Sequence, residues 1–308
     1  MAQKAPSGEA RRETLAQCPI CNSAEQAFFL SCKDHTVSGE HFDIQECSNC
    51  RFRYTDPRPA EESIGDYYES EAYISHSNKT KGPIDALYKV ARQYTVRKKH
   101  RTVRRSAENL PLTILDHGCG TGEFLAQCQK KGWQVHGLEP DEGARQQATE
   151  LLGGNVDPPD TLNALPSESF SIITLWHVLE HVPRLQETVR ELKRVLRPEG
   201  TLFIAVPNCS SNDAEHYGAC WAAYDVPRHL YHFRPPNIRQ LFEDHGMVVR
   251  EVRPMLLDGI YVSMLSEKYQ GKMPWKGVWT GLKSNMKADL EKETYSAQIY
   301  LIGHRGAT

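Results

Sequence analysis

No apolar run in this sequence approaches the roughly 20 residues that a membrane-spanning helix needs. The N-terminus has no apolar signal-peptide core, and we expect residues 1–15 to be a disordered tail. The net charge is only −2, so there is no general basic excess for binding nucleic acid. No internal repeat is found. These absences predict a cytoplasmic protein that does not enter membranes, of unknown oligomeric state.

Nine cysteines are unevenly distributed, and five of them fall between residues 18 and 50. Four form two Cys-x2-Cys pairs that are 25 residues apart: Cys18, Cys21, Cys47 and Cys50. Each pair places two thiolates at one turn, and two turns complete the tetrahedral site that Zn²⁺ prefers. Cys32 and His35 are possible substitute ligands, and two disulfides are the alternative, which a cytoplasmic location disfavours. We predict a structural zinc ribbon at residues 16–57, which needs the metal because it is too small for a core of its own.

Residues 58–110 are predicted to form a helical linker or lid before a main domain at residues 111–308. One helix of this linker carries apolar residues at three- to four-residue spacing: Ile84, Leu87, Tyr88, Ala91 and Tyr94. The helix continues into residues 96–105, of which six are Lys or Arg. We interpret this basic run as a solvated helix face. A patch for an anionic substrate or RNA is the alternative.

A glycine-rich turn organises the main domain. The apolar run 112–115 predicts a buried strand that ends at Asp116, and glycines follow at positions 118, 120 and 122 before a predicted helix at residues 123–131. Strand, glycine turn and helix hold nucleotide-like ligands at the carboxyl edge of a parallel sheet. The spacing Gly-x-Gly-x-Gly and the acidic residue that opens the loop disfavour phosphate. They suit a cationic ligand that carries a ribose.

Strands and helices then alternate, which predicts a parallel, doubly wound α/β sheet. Glu139 ends the second strand, where a carboxylate can accept hydrogen bonds from both hydroxyls of a ribose. A surface glutamate before Pro140 is the alternative. Asp160 and Leu162 lie in the loop expected to hold an adenine. The third strand is poorly marked, near Asn155 and Val156.

Five segments in this order resemble successive motifs of the class I S-adenosylmethionine (SAM) dependent methyltransferases. They are Leu115-Asp-His-Gly-Cys-Gly-Thr-Gly122, Gly137-Leu-Glu-Pro140, Trp176-His-Val-Leu-Glu-His-Val182, Arg194-Val-Leu-Arg-Pro-Glu-Gly200 and Ala205-Val-Pro-Asn208. The chain is also similar to bacterial members with an N-terminal domain of paired cysteines, such as deoxysugar C-methyltransferases. Ser171 departs from the family, which usually has Asp there.

The resemblance implies a Rossmann-like sheet with strand order 3-2-1-4-5-7-6 and an antiparallel seventh strand. It also implies that SAM is the cofactor and that the loops after strands one, two and four contact it. The residues so implied are Asp116, Gly118, Cys119, Gly120, Gly122, Glu139, Pro140, Trp176 and His177.

His177, Glu180 and His181 follow strand four, and the spacing i, i+3, i+4 puts them on one face of a helical turn. They are our candidates for a base and an orienting carboxylate, with His177 preferred as the base. In ubiquinone-pathway O-methyltransferases a Glu-x-x-Glu-His segment binds a divalent metal, so a metal is an alternative, although His177 replaces the first Glu here. A third possibility is that Glu180 and His181 only stabilise the loop.

The segment 221–233 follows strand five and is rich in aromatic residues and histidine. Loops at this edge line the site in such folds, so we expect acceptor contacts from Tyr224, Arg228, His229 and His232, with His229 as the second candidate base. A packed loop with an Asp225–Arg228 pair is the alternative.

The sequence therefore predicts methyl transfer from SAM to a small-molecule acceptor, for example a sugar nucleotide, by O- or C-methylation. An rRNA or tRNA methyltransferase with a zinc-binding recognition domain and a non-catalytic SAM-binding module are the alternatives. The net charge makes nucleic acid the less favoured partner.

Overall fold

The computed structural model describes residues 11–68, 83–291 and 293–306, and within residues 83–94 it describes the backbone alone. The strands are β1 (Arg12–Glu13), β2 (Gln26–Lys33), β3 (His41–Cys47), β4 (Arg53–Thr55), β5 (Arg58–Pro59), β6 (Thr113–His117), β7 (Gln134–Leu138), β8 (Val156–Asp157), β9 (Phe170–Trp176), β10 (Leu196–Pro207), β11 (Tyr231–His232), β12 (Met247–Pro254) and β13 (Ala297–His304). The helices are α1 (Pro83–Ser106), α2 (Glu123–Gln129), α3 (Glu142–Leu152), α4 (Leu185–Val195), α5 (Asn212–Tyr217), α6 (Pro235–Asp244), α7 (Leu256–Tyr269) and α8 (Lys276–Glu291).

Seven strands form the central sheet, in the order β8-β7-β6-β9-β10-β13-β12. Strands β6 to β10 are parallel, and β13 is antiparallel to both of its neighbours. This confirms the predicted order 3-2-1-4-5-7-6 with an antiparallel seventh strand. The carboxyl ends of β6, β7, β9 and β10 therefore meet at one edge, where ligands bind in folds of this kind.

Burial on both faces explains why β9 and β10 read as continuous apolar runs. Residues 170–175 of β9 are all buried, as are residues 200–206 of β10. Helix α4 covers the sheet through its stripe of Leu185, Val189 and Leu192, as its periodicity predicts. Leu196 continues the same spacing in the sequence but is the first residue of β10, because the helix ends at Val195.

The N-terminal strands form a second sheet, in the order β11-β4-β3-β2. Its edge strand β11 comes from residues 231–232, where Tyr231 pairs with Tyr54. One buried cluster also joins Cys18 and Phe52, in the turns beside this sheet, to Leu175 in the centre of the main sheet. The division of the chain at residues 57 and 110 stays a prediction, but the two sheets share one core.

The predicted linker contains a short 3-10 helix, Ile64–Tyr67, and the long helix α1. The first ten residues of the expected N-terminal tail and residues 69–82 of the predicted linker lie outside the described residues. So do the side chains of the predicted stripe from Ile84 to Tyr94. In the described part of the chain, no helix is long and apolar enough to cross a membrane.

Candidate active site and metal centre

The glycine turn lies between β6 and α2, and all three of its glycines have positive φ angles. A Cβ on Gly118 would lie 2.4 Å from Val178 Cγ2, and one on Gly122 would lie 3.1 Å from Ala148 Cβ. A Cβ on Gly120 would meet nothing within 4 Å. Two of the glycines therefore permit close packing, whereas Gly120 faces open space at the strand edge, as the prediction of a ligand site requires.

Glu139 stands directly beside this turn. Its two carboxylate oxygens accept hydrogen bonds from the backbone N–H groups of Gly120 (2.8 Å) and Asp141 (3.0 Å). Each oxygen keeps a second lone pair for another donor. Burial raises the pKa of Glu139, and the two N–H donors oppose that shift. The ribose contact stays a prediction. The two hydrogen bonds fix the carboxylate beside the loop where the ribose is expected to bind.

Asp116 is enclosed at the end of β6 and accepts a hydrogen bond from Thr174. Burial raises the pKa of Asp116 to about 7. Cys119 is buried too, and the backbone N–H groups of Gly118 and Cys119 both donate to the carbonyl of Leu138, at 2.7 and 3.0 Å. These contacts pin the first half of the turn to β7.

The remaining predicted cofactor residues surround the same edge. Pro140 and Asp160 are exposed, whereas the side chain of Leu162 belongs to the main core. Trp176 ends β9, packs edge-on against Phe124 at 5.9 Å, and has a buried indole N–H without a hydrogen-bond partner among the described residues. An unpartnered donor at the carboxyl edge of the sheet fits a site that a polar ligand completes.

Lys99 was not predicted to be a site residue, because it lies in the basic run 96–105 that we interpreted as a solvated helix face. Its ammonium lies 4.3 Å from the centre of the Trp176 ring and interacts with Asp116 and Asp258. Burial lowers the pKa of Lys99, and both carboxylates oppose that shift. The other basic residues of the run are exposed: Arg97, Lys98, Arg101, Arg104 and Arg105. No pattern in the sequence distinguishes the one lysine that turns inward.

His177 follows β9 with a left-handed φ of 58°, which turns its imidazole back toward two carboxylates. Its Nε2 lies 2.9 Å from Asp258 Oδ2, and its Nδ1 lies 3.4 Å from Glu180 Oε1. Burial alone would lower the pKa of His177, but the two carboxylates outweigh it and raise the pKa to about 9. The ring is therefore an imidazolium at neutral pH. Asp258, on α7, was not among the predicted site residues.

Glu180 is fully buried, and neither carboxylate oxygen has a hydrogen-bond partner in the described residues. The 3.4 Å contact with His177 is an ion pair whose geometry is too poor for a hydrogen bond. Burial would raise the pKa of Glu180, yet the histidines around it, His177 first, keep that pKa below the ordinary value. A buried carboxylate with free lone pairs needs cations around it.

Two further histidines lie beside Glu180. The rings of His181 and His229 meet edge to face, 4.5 Å apart. His181 Nδ1 lies 2.9 Å from the carbonyl of Arg228 and from the hydroxyl of Tyr68, and His229 Nδ1 lies 2.9 Å from the carbonyl of Ala223. A proton on each Nδ1 satisfies those carbonyls and leaves each Nε2 as an acceptor. Burial and the neighbouring His229 lower the pKa of His181 to about 4.

One ligand atom each from Glu180, His181 and His229 lies within 4.8 Å of the others. Two imidazoles whose Nδ1–H groups are held by carbonyls, with one carboxylate, form a ligand set for a divalent cation. The sequence placed His177 in this group. The structure brings in His229 instead, because the loop 217–233 folds over the strand edge.

The other residues of that loop face inward. Tyr224 is buried against Trp221 and His232, and His232 Nε2 lies 3.1 Å from Thr55 Oγ1. Arg228 pairs with Asp225 (2.5 Å), as the packed-loop alternative expected, and with the buried Asp34 of the N-terminal sheet (3.3 Å). These side chains stabilise the loop. His229 is the residue of this loop that joins Glu180 and His181.

The four predicted zinc ligands converge at the carboxyl end of β3, whose last residue is Cys47. Their sulfurs all lie within 4.8 Å of one another, with Cys18 Sγ 3.6 Å from Cys50 Sγ and Cys21 Sγ 3.5 Å from Cys47 Sγ. Zinc–sulfur bonds of about 2.3 Å in a tetrahedron place sulfurs about 3.8 Å apart. Asn22 and Arg51, each directly after a second cysteine, have φ near 60° and close the two turns alike. The residues present therefore fit Zn²⁺, whereas Cys32 is not in the cluster.

Residues 88–252, more than half of the chain, match the family model of a methyltransferase domain. The chain belongs to the class I SAM-dependent methyltransferases. The predicted family is thus confirmed, and so is its fold.

The matches to curated relatives cover only part of each relative's length. The ubiquinone biosynthesis O-methyltransferase of Actinobacillus pleuropneumoniae serotype 7 (strain AP76) is 34% identical over 107 residues, which is 31% of this chain and 45% of that protein. The malonyl-[acyl-carrier protein] O-methyltransferase of Yersinia pestis is 28% identical over 142 residues, 44% of this chain and 51% of that protein. This methyltransferase thus spans about half the length of these two relatives.

Among solved structures, the magnesium protoporphyrin IX methyltransferase of Synechocystis PCC 6803 with bound S-adenosylhomocysteine has a TM-score of 0.51 and 14% identity. It covers 80% of this chain and 100% of that one. At this identity the likeness concerns the fold alone.

Proposed function

We propose that this methyltransferase moves the methyl group of SAM to a hydroxyl of a small-molecule acceptor, a sugar nucleotide or another biosynthetic intermediate. The observation that carries this proposal is the cluster of His177, Glu180, His181 and His229 at the edge where the glycine turn also opens. The names of the two curated relatives favour an oxygen acceptor over carbon.

The cofactor supplies an activated methyl group, and the protein's part is to bind it and align it. The open space at Gly120 would take the ligand, and Glu139, which accepts a hydrogen bond from Gly120, would also accept from the ribose hydroxyls. Lys99 offers a positive charge for the carboxylate of the amino-acid end. The unpartnered indole N–H of Trp176 adds a donor at the same edge.

For the base we favour His229 over His177. A group with a pKa of about 9 is protonated at neutral pH and cannot accept a proton there, which describes His177 between its two carboxylates. His229 has its Nδ1 held by a carbonyl, so its Nε2 can receive the acceptor's proton. Glu180 lies beside it to stabilise the imidazolium that forms.

A divalent cation held by Glu180, His181 and His229 is the second way in which this cluster can act on a hydroxyl. These three residues would bind the cation, which lowers the pKa of a bound hydroxyl. The two roles exclude each other for His229, since its Nε2 cannot both hold a cation and accept a proton.

The zinc that we propose at the four cysteines has a structural role. The cluster lies in the N-terminal sheet, and its cysteines belong to the core that this sheet shares with the main sheet. A closed site with four thiolate ligands leaves no open coordination position for substrate.

The test is transfer of labelled methyl from SAM to phenols, carboxylic acids and sugar nucleotides, with tRNA and rRNA as competing acceptors. We expect His229→Gln to lower turnover by roughly 10²–10⁴-fold with nearly unchanged affinity for S-adenosylhomocysteine. The matched control is His216→Gln, since His216 is exposed. Activity that needs added Mg²⁺ or Mn²⁺ and is lost with a chelator would favour the cation. Labelling of RNA alone, or of no acceptor, would refute the proposal.

A further inference from the structure

The C-terminal helices α7 and α8 form a hairpin with an apolar outer face. Among the described residues, nine of the eleven exposed large apolar side chains lie between residues 256 and 290. The other two are Phe28 and Leu151. The nine are Leu256, Leu257, Tyr261, Met273, Trp275, Trp279, Leu282, Met286 and Leu290. A concentration of this kind marks a surface that contacts something other than water.

On and just before α8 the exposed apolar residues follow helical spacing. Trp275, Trp279, Leu282, Met286 and Leu290 are separated by four, three, four and four residues, so they form one stripe along the helix. Exposed fractions of 64% for Trp279 and 86% for Leu290 show that the stripe faces outward.

The opposite face of α8 explains why this stripe cannot turn inward. The residues that α8 buries are small or polar: Gly277, Gly281, Ser284, Asn285 and Ala288. A Cβ on Gly277 would lie 2.4 Å from the backbone of Met264, and one on Gly281 would lie 2.6 Å from the backbone of Ile260. Only glycine permits this approach to α7, so the packing of the two helices sets the rotation of α8.

Lysines border the stripe. Lys272, Lys276, Lys283 and Lys287 are exposed, and Lys268 at the end of α7 is a fifth. Two exposed carboxylates of the hairpin, Asp289 and Glu291, stand against these five lysines, and Glu291 pairs with one of them, Lys287. The hairpin face is therefore cationic, although the whole chain has a net charge of −2. A second copy of the same face would offer few carboxylates to these lysines.

We propose that the α7–α8 hairpin lies on the surface of an anionic lipid bilayer. Tryptophan and leucine on one face of a helix, with lysines beside them, are the composition of helices that lie in the headgroup region. The lysines would contact anionic headgroups, and the stripe would enter the boundary of the acyl chains. The hairpin does not span, because α7 has 14 residues and α8 has 16. Asp258 on α7 contacts His177, so docking would bring the candidate active site to the membrane surface.

The experiment is flotation of the full chain with phosphatidylcholine vesicles that contain, or lack, phosphatidylglycerol. We expect the wild-type protein to float with the anionic vesicles only, less so at high salt, with a blue shift of tryptophan emission. Trp275→Ser combined with Trp279→Ser should lower vesicle binding by roughly tenfold or more. Lys276→Glu combined with Lys283→Glu should weaken it in a salt-dependent way.

Leu151→Ser is the matched control, because Leu151 is an exposed leucine on α3, outside the hairpin. This variant should float like the wild type, and every variant should keep its affinity for S-adenosylhomocysteine. The proposal is overturned if the wild-type protein does not float, or if the double tryptophan variant floats equally well. It is also overturned if that variant instead dissociates a dimer in solution, which would assign the face to a second copy.

Discussion

His177 Nε2 and Asp258 Oδ2 lie 2.9 Å apart, although 81 positions separate them in the sequence. The contact joins the residue after β9 to the first turn of α7. With Glu180 on the other ring nitrogen, it makes His177 the centre of a carboxylate–imidazolium–carboxylate row. The charge state of this ring therefore depends on two distant parts of the chain.

Replacement of Asp258 tests this dependence. In Asp258→Asn the pKa of His177 should fall from about 9 toward its ordinary value near 6.5, because one of the two carboxylates that stabilise the imidazolium is removed. Titration of the ring by NMR measures the shift. The pair stabilises the folded protein fully below about pH 6.5, and this stability is lost as the pH rises through about 9. A pKa that stays near 9 in Asp258→Asn would assign the shift to Glu180.

The cofactor site is tested at Glu139. Glu139→Ala should weaken binding of S-adenosylhomocysteine by about 1.5–3 kcal/mol, roughly 10- to 100-fold, because hydrogen bonds to a charged acceptor are lost. Calorimetric titration gives the affinity. Glu142→Ala, which removes an exposed carboxylate at the start of α3, is the control and should bind as the wild type does. Equal affinity in both variants would place the ribose elsewhere.

Lys99 is tested with two ligands. Lys99→Met should reduce the affinity for S-adenosylhomocysteine by roughly tenfold, since a charge-assisted contact to the amino-acid carboxylate is lost. It should leave binding of methylthioadenosine unchanged, because that ligand lacks the amino-acid end. Lys98→Met changes the exposed neighbour and should affect neither ligand. A parallel loss for both ligands in Lys99→Met would mean that Lys99 only supports the pocket.

The glycine turn offers a contrast between two positions with positive φ. Gly118→Ala should lower the melting temperature, because its Cβ would lie 2.4 Å from Val178. Gly120→Val should lower cofactor affinity by far more than it lowers stability, since its side chain enters open space where the ligand is expected. Thermal unfolding with and without S-adenosylhomocysteine separates the two effects. If Gly120→Val retains the full ligand-induced shift, the space beside Gly120 is not the cofactor site.

Bound zinc should contribute to the stability of the whole folded chain. Cys18→Ser should lose most of the bound zinc and destabilise the protein, because Cys18 belongs to the core shared by both sheets. Elemental analysis and calorimetric melting provide the measurements. Cys220→Ser is the control, since Cys220 is not among the clustered cysteines and should leave one zinc per chain. Wild-type protein with far less than one zinc would refute the assignment.

Local pattern predicted most elements of the main sheet. The apolar run 170–176 became β9, the stripe beginning at Leu185 became α4, and the weak signal near Val156 became β8. Errors of a few residues occur at the ends, as at Leu196. The strand order was predicted from the resemblance to a known family. The motifs that carry this resemblance can be recognised from neighbouring residues alone.

The sequence by itself indicated the glycine turn, the carboxylate directly after β7 and the two cysteine pairs, because each depends on a short local pattern. Only the tertiary structure decided that His229 rather than His177 joins Glu180 and His181, that Lys99 turns inward, that Asp258 holds His177, and that residues 231–232 complete the N-terminal sheet. These relationships unite distant segments through packing and charge. Their distances are set by how the loop 217–233 and the helices α1 and α7 fold over the sheet edge, which no local periodicity encodes.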